Sequence, residues 1–242
     1  LYHEIKLTTD RPIAAPNYKA QPPEIQQAIN EETDKLVAAG CIEESDSPYS
    51  APIVLVKKKN GGWRYCTDFR RLNKVTEKSS FPLPSITDGL RKLRQPKVFT
   101  SVDLIKGYHQ MCILKSQKRL FAFSDGRRHL QYVRVSMGAR NSAASMQALV
   151  ELVFRGLPVE YMLVYLDDIL IASPDEETHL VMLDKVFEAL HRSGLKVNPS
   201  KCTFANKEIC ALGYLLDENG IHPDPRNLEK IREWPEPKSI TD

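Results

Sequence analysis

Two adjacent aspartates, Asp167 and Asp168, interrupt an apolar run from Tyr161 to Ala172. Ionised carboxylates are almost never fully buried without a partner, so acids set between apolar strands call for cations or hydrogen-bond donors. A divalent metal is the natural partner; the plain alternative is a solvated hairpin turn, where Asp is common. A third carboxylate, Asp103, ends another apolar run, Val98–Val102. If these strands are neighbours, three carboxylates meet at one sheet position; otherwise Asp103 is a strand-end or helix-cap acid. Oxygen-rich sites of this kind select Mg²⁺ or Mn²⁺ over zinc. Two such ions about 3.5–4 Å apart would activate an attacking hydroxyl and stabilise the leaving oxygen of a phosphoryl transfer.

The complementary charge lies upstream. Lys57, Lys58, Lys59 and Arg64 cluster around Trp63 and Tyr65. A basic, aromatic hairpin suits phosphates and stacked bases. The alternative is an edge strand that lysines protect from aggregation.

These residues need elements to hold them. Pro22-Pro23-Glu24 opens a helical pattern carried by Ile25, Ala28, Ile29, Leu36 and Ala39 and closed by Gly40. The spacing predicts a hairpin of 51–59 and 63–68 across Asn60-Gly61-Gly62. Ser85 caps a short helix, with Asp88 three residues on. Strands are expected at 98–103, 111–114, 120–123, 130–135, 161–166 and 169–172, and helices at 143–154 and 176–192. A further hairpin, 210–221, turns at Asn219-Gly220, and the proline- and charge-rich stretch from 223 to 242 reads as a linker. Hairpins mixed with helices, without strict βαβ alternation, predict an α+β fold.

Composition bounds the rest. The 242 residues allow one large domain or two closely joined ones, at roughly 100–200 residues each. Hydrophobic residues at 42% and charged residues at 27% exclude a disordered tail or a disulfide miniprotein. No apolar run approaches the roughly 18 residues of a membrane span, so no membrane partner is expected. A net charge of +3, from 34 basic and 31 acidic residues, is too balanced to prove a nucleic-acid partner by itself. Cys41, Cys66, Cys112, Cys202 and Cys210 are odd in number and form no C-x-x-C pair; they read as reduced thiols of an intracellular protein. The chain reads as a piece of a longer polypeptide.

Taken in order, the segments resemble the reverse transcriptases of gypsy-type LTR retrotransposons. The resemblance is carried by residues 45–52 and 54–59, by Trp63-Arg64-Tyr65-Cys66-Thr67-Asp68-Phe69-Arg70-Arg71-Leu72-Asn73, and by Phe81-Pro82-Leu83-Pro84. It continues through Phe99–Leu104 with Gly107-Tyr108-His109-Gln110, then Tyr165-Leu166-Asp167-Asp168, the run 194–202, Leu212-Gly213-Tyr214 and 220–225. It covers nearly the whole chain.

The resemblance implies a right-hand polymerase with fingers and palm, the palm an antiparallel sheet with packed helices, and with thumb and ribonuclease H absent. Fingers would comprise 1–78 and 111–141, and palm 79–110 and 142–222 with a primer-holding hairpin at 209–222; 223–242 would lead toward the thumb. Asp103, Asp167 and Asp168 would be the catalytic metal ligands, assisted by the backbone carbonyl of Leu104, with two Mg²⁺ ions, or Mn²⁺, as cofactor. Lys58, Arg64, Tyr108 and Met137 would bind the nucleotide, Tyr108 crowding the sugar 2′ position. Trp63, Arg70, Asn73, Gln147, Tyr165, Leu212, Gly213 and Tyr214 would bind template and primer. The implied partners are an RNA or DNA template with its primer, deoxynucleoside triphosphates, and covalently linked thumb, ribonuclease H, protease and integrase domains. The implied location is the cytoplasm, within virus-like particles, with the nucleus as a second site.

One block departs from the family pattern. Val135–Gln147 keeps Gly138, Asn141, Ala144 and Gln147 but lacks both prolines and both aromatics usual there. Ser136 for proline and Met137 for an aromatic predict a less preorganised nucleotide pocket. A degenerate domain that only binds nucleic acid or packs within a polyprotein is the competing reading; the three intact aspartates oppose it.

Overall fold

The computed structural model describes residues 1–15, 21–57 and 61–232. The chain opens with strand β1 (Tyr2–His3) and helix α1 (Pro23–Ala38). β2 (Ile42–Glu44), β3 (Ala51–Lys57) and β4 (Trp63–Thr67) follow, then the short helices α2 (Arg70–Val75) and α3 (Ile86–Arg91). β5 (Val98–Asp103) runs through a 3-10 turn, Gly107–Gln110, into β6 (Cys112–Ile113). A second 3-10 stretch, Lys115–Phe121, precedes the hairpin of β7 (Ala122–Ser124) and β8 (His129–Tyr132). Helix α4 (Ser142–Val153), the hairpin of β9 (Met162–Tyr165) and β10 (Asp168–Ser173), and helix α5 (Glu176–Ser193) come next. β11 (Thr203–Asn206), β12 (Ile209–Ala211), β13 (Tyr214–Asp217), β14 (Gly220–Pro223) and α6 (Pro225–Arg232) end the described chain.

These elements form two compact units. The first combines Leu1–Pro82 with Lys106–Leu149, the second Leu83–Ile105 with Val150–Asp242. In the first, a five-stranded sheet has the order β2-β8-β7-β3-β4, antiparallel except for the β3–β7 pair. α1 lies against it, burying Ile29, Thr33 and Leu36, which fall on one helical face. The core is aromatic: Phe69 meets Phe121 edge-on at 5.8 Å, Phe123 lies 5.0 Å from Tyr132, and the Tyr132 hydroxyl bonds Thr67 at 2.9 Å. At the β7–β8 turn, Asp125 is fully buried; its carboxylate accepts from the Arg127 and Arg128 amides and pairs with the Arg128 guanidinium, which also reaches Asp34 of α1.

The second unit holds an antiparallel sheet of order β11-β5-β10-β9 and a three-stranded sheet β12-β13-β14. Leu90, Phe99, Leu163, Leu170, Ala172, Ile209 and Leu216 form its buried cluster. α5 packs on β5 and β10. Between them His179 bonds Thr100 at 2.7 Å and Ser173 at 3.1 Å, and burial holds its pKa below the usual imidazole value.

The structure departs from these expectations in three respects. Leu120 and Phe121, expected in a strand, end the 3-10 stretch, so the strand starts at Ala122. The stretch read as a linker contains α6: Asp224 accepts from the Arg226 amide and its backbone carbonyl accepts from Asn227, while Pro225 supplies the fixed φ suited to a helix start. The short elements β1, β2, α2 and β11 carry too few periodic residues to be read from sequence. The remainder of 223–242, beyond 232, lies outside the described residues.

Candidate active site

The register of the second unit's sheet brings the aspartates together. β5 and β10 run antiparallel, and Asp103 stands directly opposite Asp168. Asp168 is also opposite Tyr165 on β9, so Leu166 and Asp167 form a two-residue turn at the strand ends. Leu166 adopts φ 56°, a left-handed conformation that costs a side-chain-bearing residue about 1–2 kcal/mol. The Leu104 amide donates to the Asp167 carbonyl at 3.2 Å, tying the turn to the end of β5. On the other side the Asn198 amide donates to the Asp103 carbonyl at 2.8 Å.

Charge is concentrated here. Partial burial, with the neighbouring Asp167 and Asp103 carboxylates, pushes the Asp168 pKa up from the ordinary carboxylate value. Lys201 opposes this: its Nζ lies 3.3 and 3.2 Å from the two oxygens of Asp103. Among the described residues, no group of three His, Cys, Asp or Glu side chains is arranged to hold a metal. The donor chemistry nonetheless fits a hard divalent cation: three carboxylates, no nitrogen or sulfur ligand, and a cation already drawn to one of them.

The first unit carries the other candidates. Along β4, Trp63 and Tyr65 share the inner face opposite Lys57 and Leu55, while Arg64 and Cys66 lie opposite the exposed Val56 and Val54. Arg64 is exposed. An open groove of about 410 Å³ is lined by Val54, Cys66, Thr67, Asp68, Phe69, Arg70 and Gly138. Arg70 grips Asp68 through Nε and Nη2, at distances down to 2.6 Å, and this hydrogen bonding holds the Asp68 carboxyl below its usual pKa. Met137 is 53% exposed, between the buried Val135 and Ser136 and the left-handed Gly138. Tyr108 lies half-buried in the Gly107–Gln110 turn.

Residues 56–216 match the family of reverse transcriptases (RNA-dependent DNA polymerases). The chain belongs to the reverse transcriptase family. It is 34% identical to the retrovirus-related Pol polyprotein from transposon opus of Drosophila melanogaster, over 98% of this chain and 24% of that protein. To the transposon Tf2-3 polyprotein of Schizosaccharomyces pombe it is 31% identical, over 99% of this chain and 18% of that one. The chain thus spans about a quarter or less of these curated relatives. Its fold superposes with TM-score 0.88 and 25% identity on a foamy viral protease–reverse transcriptase in complex with double-stranded DNA, covering 96% of this chain and 41% of that one. A foamy viral enzyme bound to an RNA/DNA hybrid gives TM-score 0.87 at 24% identity, over 99% and 32%. The right-hand polymerase fold expected from the sequence is therefore the fold of this reverse transcriptase chain.

Within that frame, several predicted contacts move. Gln147 of α4 is only 1% exposed, on the same buried face as Met146 and Val150, so its side chain does not present itself to a template. Tyr65 also points inward: its hydroxyl bonds Thr33 of α1 at 3.0 Å and its ring meets Phe123 edge-on, so it is not a surface for stacked bases. Asn73 spends its side-chain amide on the Gly138–Arg140 segment. In the second unit, Leu212 and Gly213 form a tight turn at φ 52° and 84°, and the Tyr214 hydroxyl lies 3.2 Å from that of Thr87. Tyr165 ends β9, half-buried. Lys58 lies outside the described residues. Lys201 is the charged neighbour of the aspartates that residue-by-residue reading missed; a basic side chain in the Asn198-Pro199-Ser200-Lys201 turn gives no sign of its strand partner until the register is known.

Proposed function

We propose that this chain is the fingers and palm portion of an RNA- and DNA-templated DNA polymerase serving retrotransposon replication. The observation that carries this reading is Asp103 opposite Asp168, with Asp167 in the adjoining turn. Asp103, Asp167, Asp168 and the Leu104 carbonyl would hold two Mg²⁺ ions, or Mn²⁺, whose charge would favour attack of a primer 3′-hydroxyl on a deoxynucleotide α-phosphate. The chain's own contribution is positioning more than covalent chemistry. In the first unit, read as fingers, exposed Arg64 together with Lys58 would bind the triphosphate, Arg64 through a planar fork suited to two phosphate oxygens. Tyr108 would leave no room for a 2′-hydroxyl, and Met137 with the adjacent groove would face the nascent base pair. In the second unit, read as palm, Leu212-Gly213-Tyr214 would support the primer end. Thumb, ribonuclease H, protease and integrase activities would reside elsewhere in a longer polyprotein.

Extension of a DNA primer on an RNA template, and on a DNA template, in Mg²⁺ tests the reading. Extension that Asp167→Asn abolishes supports it. A folded protein that binds template–primer without extending it would support the competing reading, a domain whose carboxylates are neutralised internally by Lys201.

A further inference from the structure

The corner at Met137–Gly138 has lost the prolines expected of it, yet it is tightly held. Val135 is fully buried, Ser136 is 4% exposed and Ala139 8%, so Met137 and Gly138 stand out between buried neighbours. The holding groups are two asparagines on different segments. The Asn73 Nδ2 donates to the Gly138 carbonyl at 2.9 Å, and its Oδ1 accepts from the Arg140 amide at 2.8 Å. In return, the Asn141 Nδ2 donates to the Glu77 carbonyl at 2.9 Å, and its Oδ1 accepts from the Ser79 amide at 2.9 Å. A carboxamide carries the same donor and acceptor as a peptide unit. Each asparagine therefore pairs with the opposite segment as a neighbouring strand would, across one intervening residue. The Arg140 guanidinium adds a third tie, donating to the Asn73 carbonyl at 2.8 Å. Asn141 sits at φ 70° and Gly138 at φ 93°, conformations that asparagine and glycine tolerate best.

We propose that Asn73 and Asn141 form a reciprocal amide clamp that fixes the Met137–Gly138 corner, and that Asn73 is thereby a positioning residue for nucleotide selection and not a template or primer contact. The clamp supplies by side-chain hydrogen bonds the rigidity that proline supplies through φ. It revises the expectation of a loose pocket: four amide hydrogen bonds hold the corner without the two prolines. This role rests on the polymerase reading above, because it assumes that Met137 meets the nascent base pair.

The test compares wild type, Asn73→Asp and Asn73→Ala in the full polypeptide that carries this chain. Asn73→Asp keeps size and acceptor, loses the donor, and sets a carboxylate against the Gly138 carbonyl. Single-nucleotide incorporation should show KM for deoxynucleotides raised about tenfold and misincorporation increased, with kcat changed less, because small misplacements of a reacting partner are costly. Template–primer affinity and its salt slope should stay the same, since no phosphate contact is removed. Hydrogen exchange should speed up at the Arg140 amide in Asn73→Ala and at the Ser79 amide in Asn141→Ala. If Asn73→Ala does not fold, Asn73→Asp and Asn141→Ala carry the test, and Asn141→Ala should raise KM in the same way. Loss of template–primer affinity in step with KM, or a changed salt slope, would make Asn73 a nucleic-acid contact and overturn the proposal. Unchanged KM and misincorporation in a variant with faster exchange would make the clamp purely structural and overturn it too. Wild type that folds but extends no primer overturns the polymerase reading itself, and this role with it.

Discussion

The carboxylate corner of the second unit and the methionine corner of the first are built by opposite means. Asp103 and Asp168 are opposed by backbone register over six paired positions, from Val98↔Ser173 to Asp103↔Asp168. A one-residue slip would turn every side chain of the strand to the other face, so the buried Phe99, Leu170 and Ala172 enforce the position of the acids. The Met137 corner has no such ladder; side-chain amides that join segments more than sixty positions apart hold it. A site fixed by register withstands loss of any one functional side chain without moving. A site fixed by side chains moves when its supports are changed.

The sharpest way to break this contrast is at the register-held site. Asp167→Asn should lower primer extension by roughly 10³-fold or more, as removal of key transition-state electrostatics does, while circular dichroism and melting temperature stay at wild-type values. Collapse of the fold would show that the acid, and not the ladder, holds the corner.

Next in size is the role proposed for Tyr108 of the first unit in excluding a 2′-hydroxyl. Tyr108→Val should reduce discrimination against ribonucleotides by about 10–100-fold in kcat/KM, within the range that hydrophobic pocket size alone can command. Equal discrimination by wild type and variant would mark Tyr108 as a packing residue of the Gly107–Gln110 turn.

A smaller effect concerns pH. The raised pKa of Asp168 means the folded chain binds that proton more tightly than the unfolded one, so the ionised group destabilises and stability falls as pH rises through the folded pKa. In EDTA at pH 7, Asp168→Asn should melt about 1–3 °C above wild type, a solvent-screened effect of at most about 1 kcal/mol. That gain should vanish below about pH 4, the unfolded carboxyl value, where wild type is also neutral. Smallest is Lys201→Met. With the cation on Asp103 gone, half-saturation of Mg²⁺-induced thermal stabilisation should fall by about 2–5-fold, as expected of a mostly exposed ion pair. Unchanged half-saturation would show that Lys201 does not compete for Asp103.

The same contrast explains what the sequence made legible. The apolar runs ending at Asp103 and flanking Asp167-Asp168 read as strands, but that they are neighbours was left open by the residues themselves and was implied only by the family resemblance. Gln147 could not be placed, because a motif match says nothing about which helical face turns inward; its neighbours Met146 and Val150 decide that. Tyr65 misled for a related reason: aromatics beside lysines read as a base platform, but strand alternation puts Tyr65 on the face opposite Arg64, against α1. The clamp was illegible because its bonds join 73 with 138 and 140, and 141 with 77 and 79, separations that leave no local pattern. Helix α6 was within reach, since Asp224-Pro225 is a helix-start pair that the surrounding prolines and charges obscured.

The exposure of Met137 has a chemical corollary. The other four methionines, Met111, Met146, Met162 and Met182, are each 6% exposed or less, whereas Met137 offers its thioether to solvent at 53%. Hydrogen peroxide transfers one oxygen to an accessible thioether, giving a sulfoxide and water, and the product is polar and chiral where the parent was soft and apolar. Among the five methionines, mild oxidation would therefore reach Met137 first, on the outward corner of the first unit, and spare the four buried ones. A methionine where the family pattern has an inert aromatic would make that corner open to oxidation, and methionine sulfoxide reductase would be the means of reversing the change.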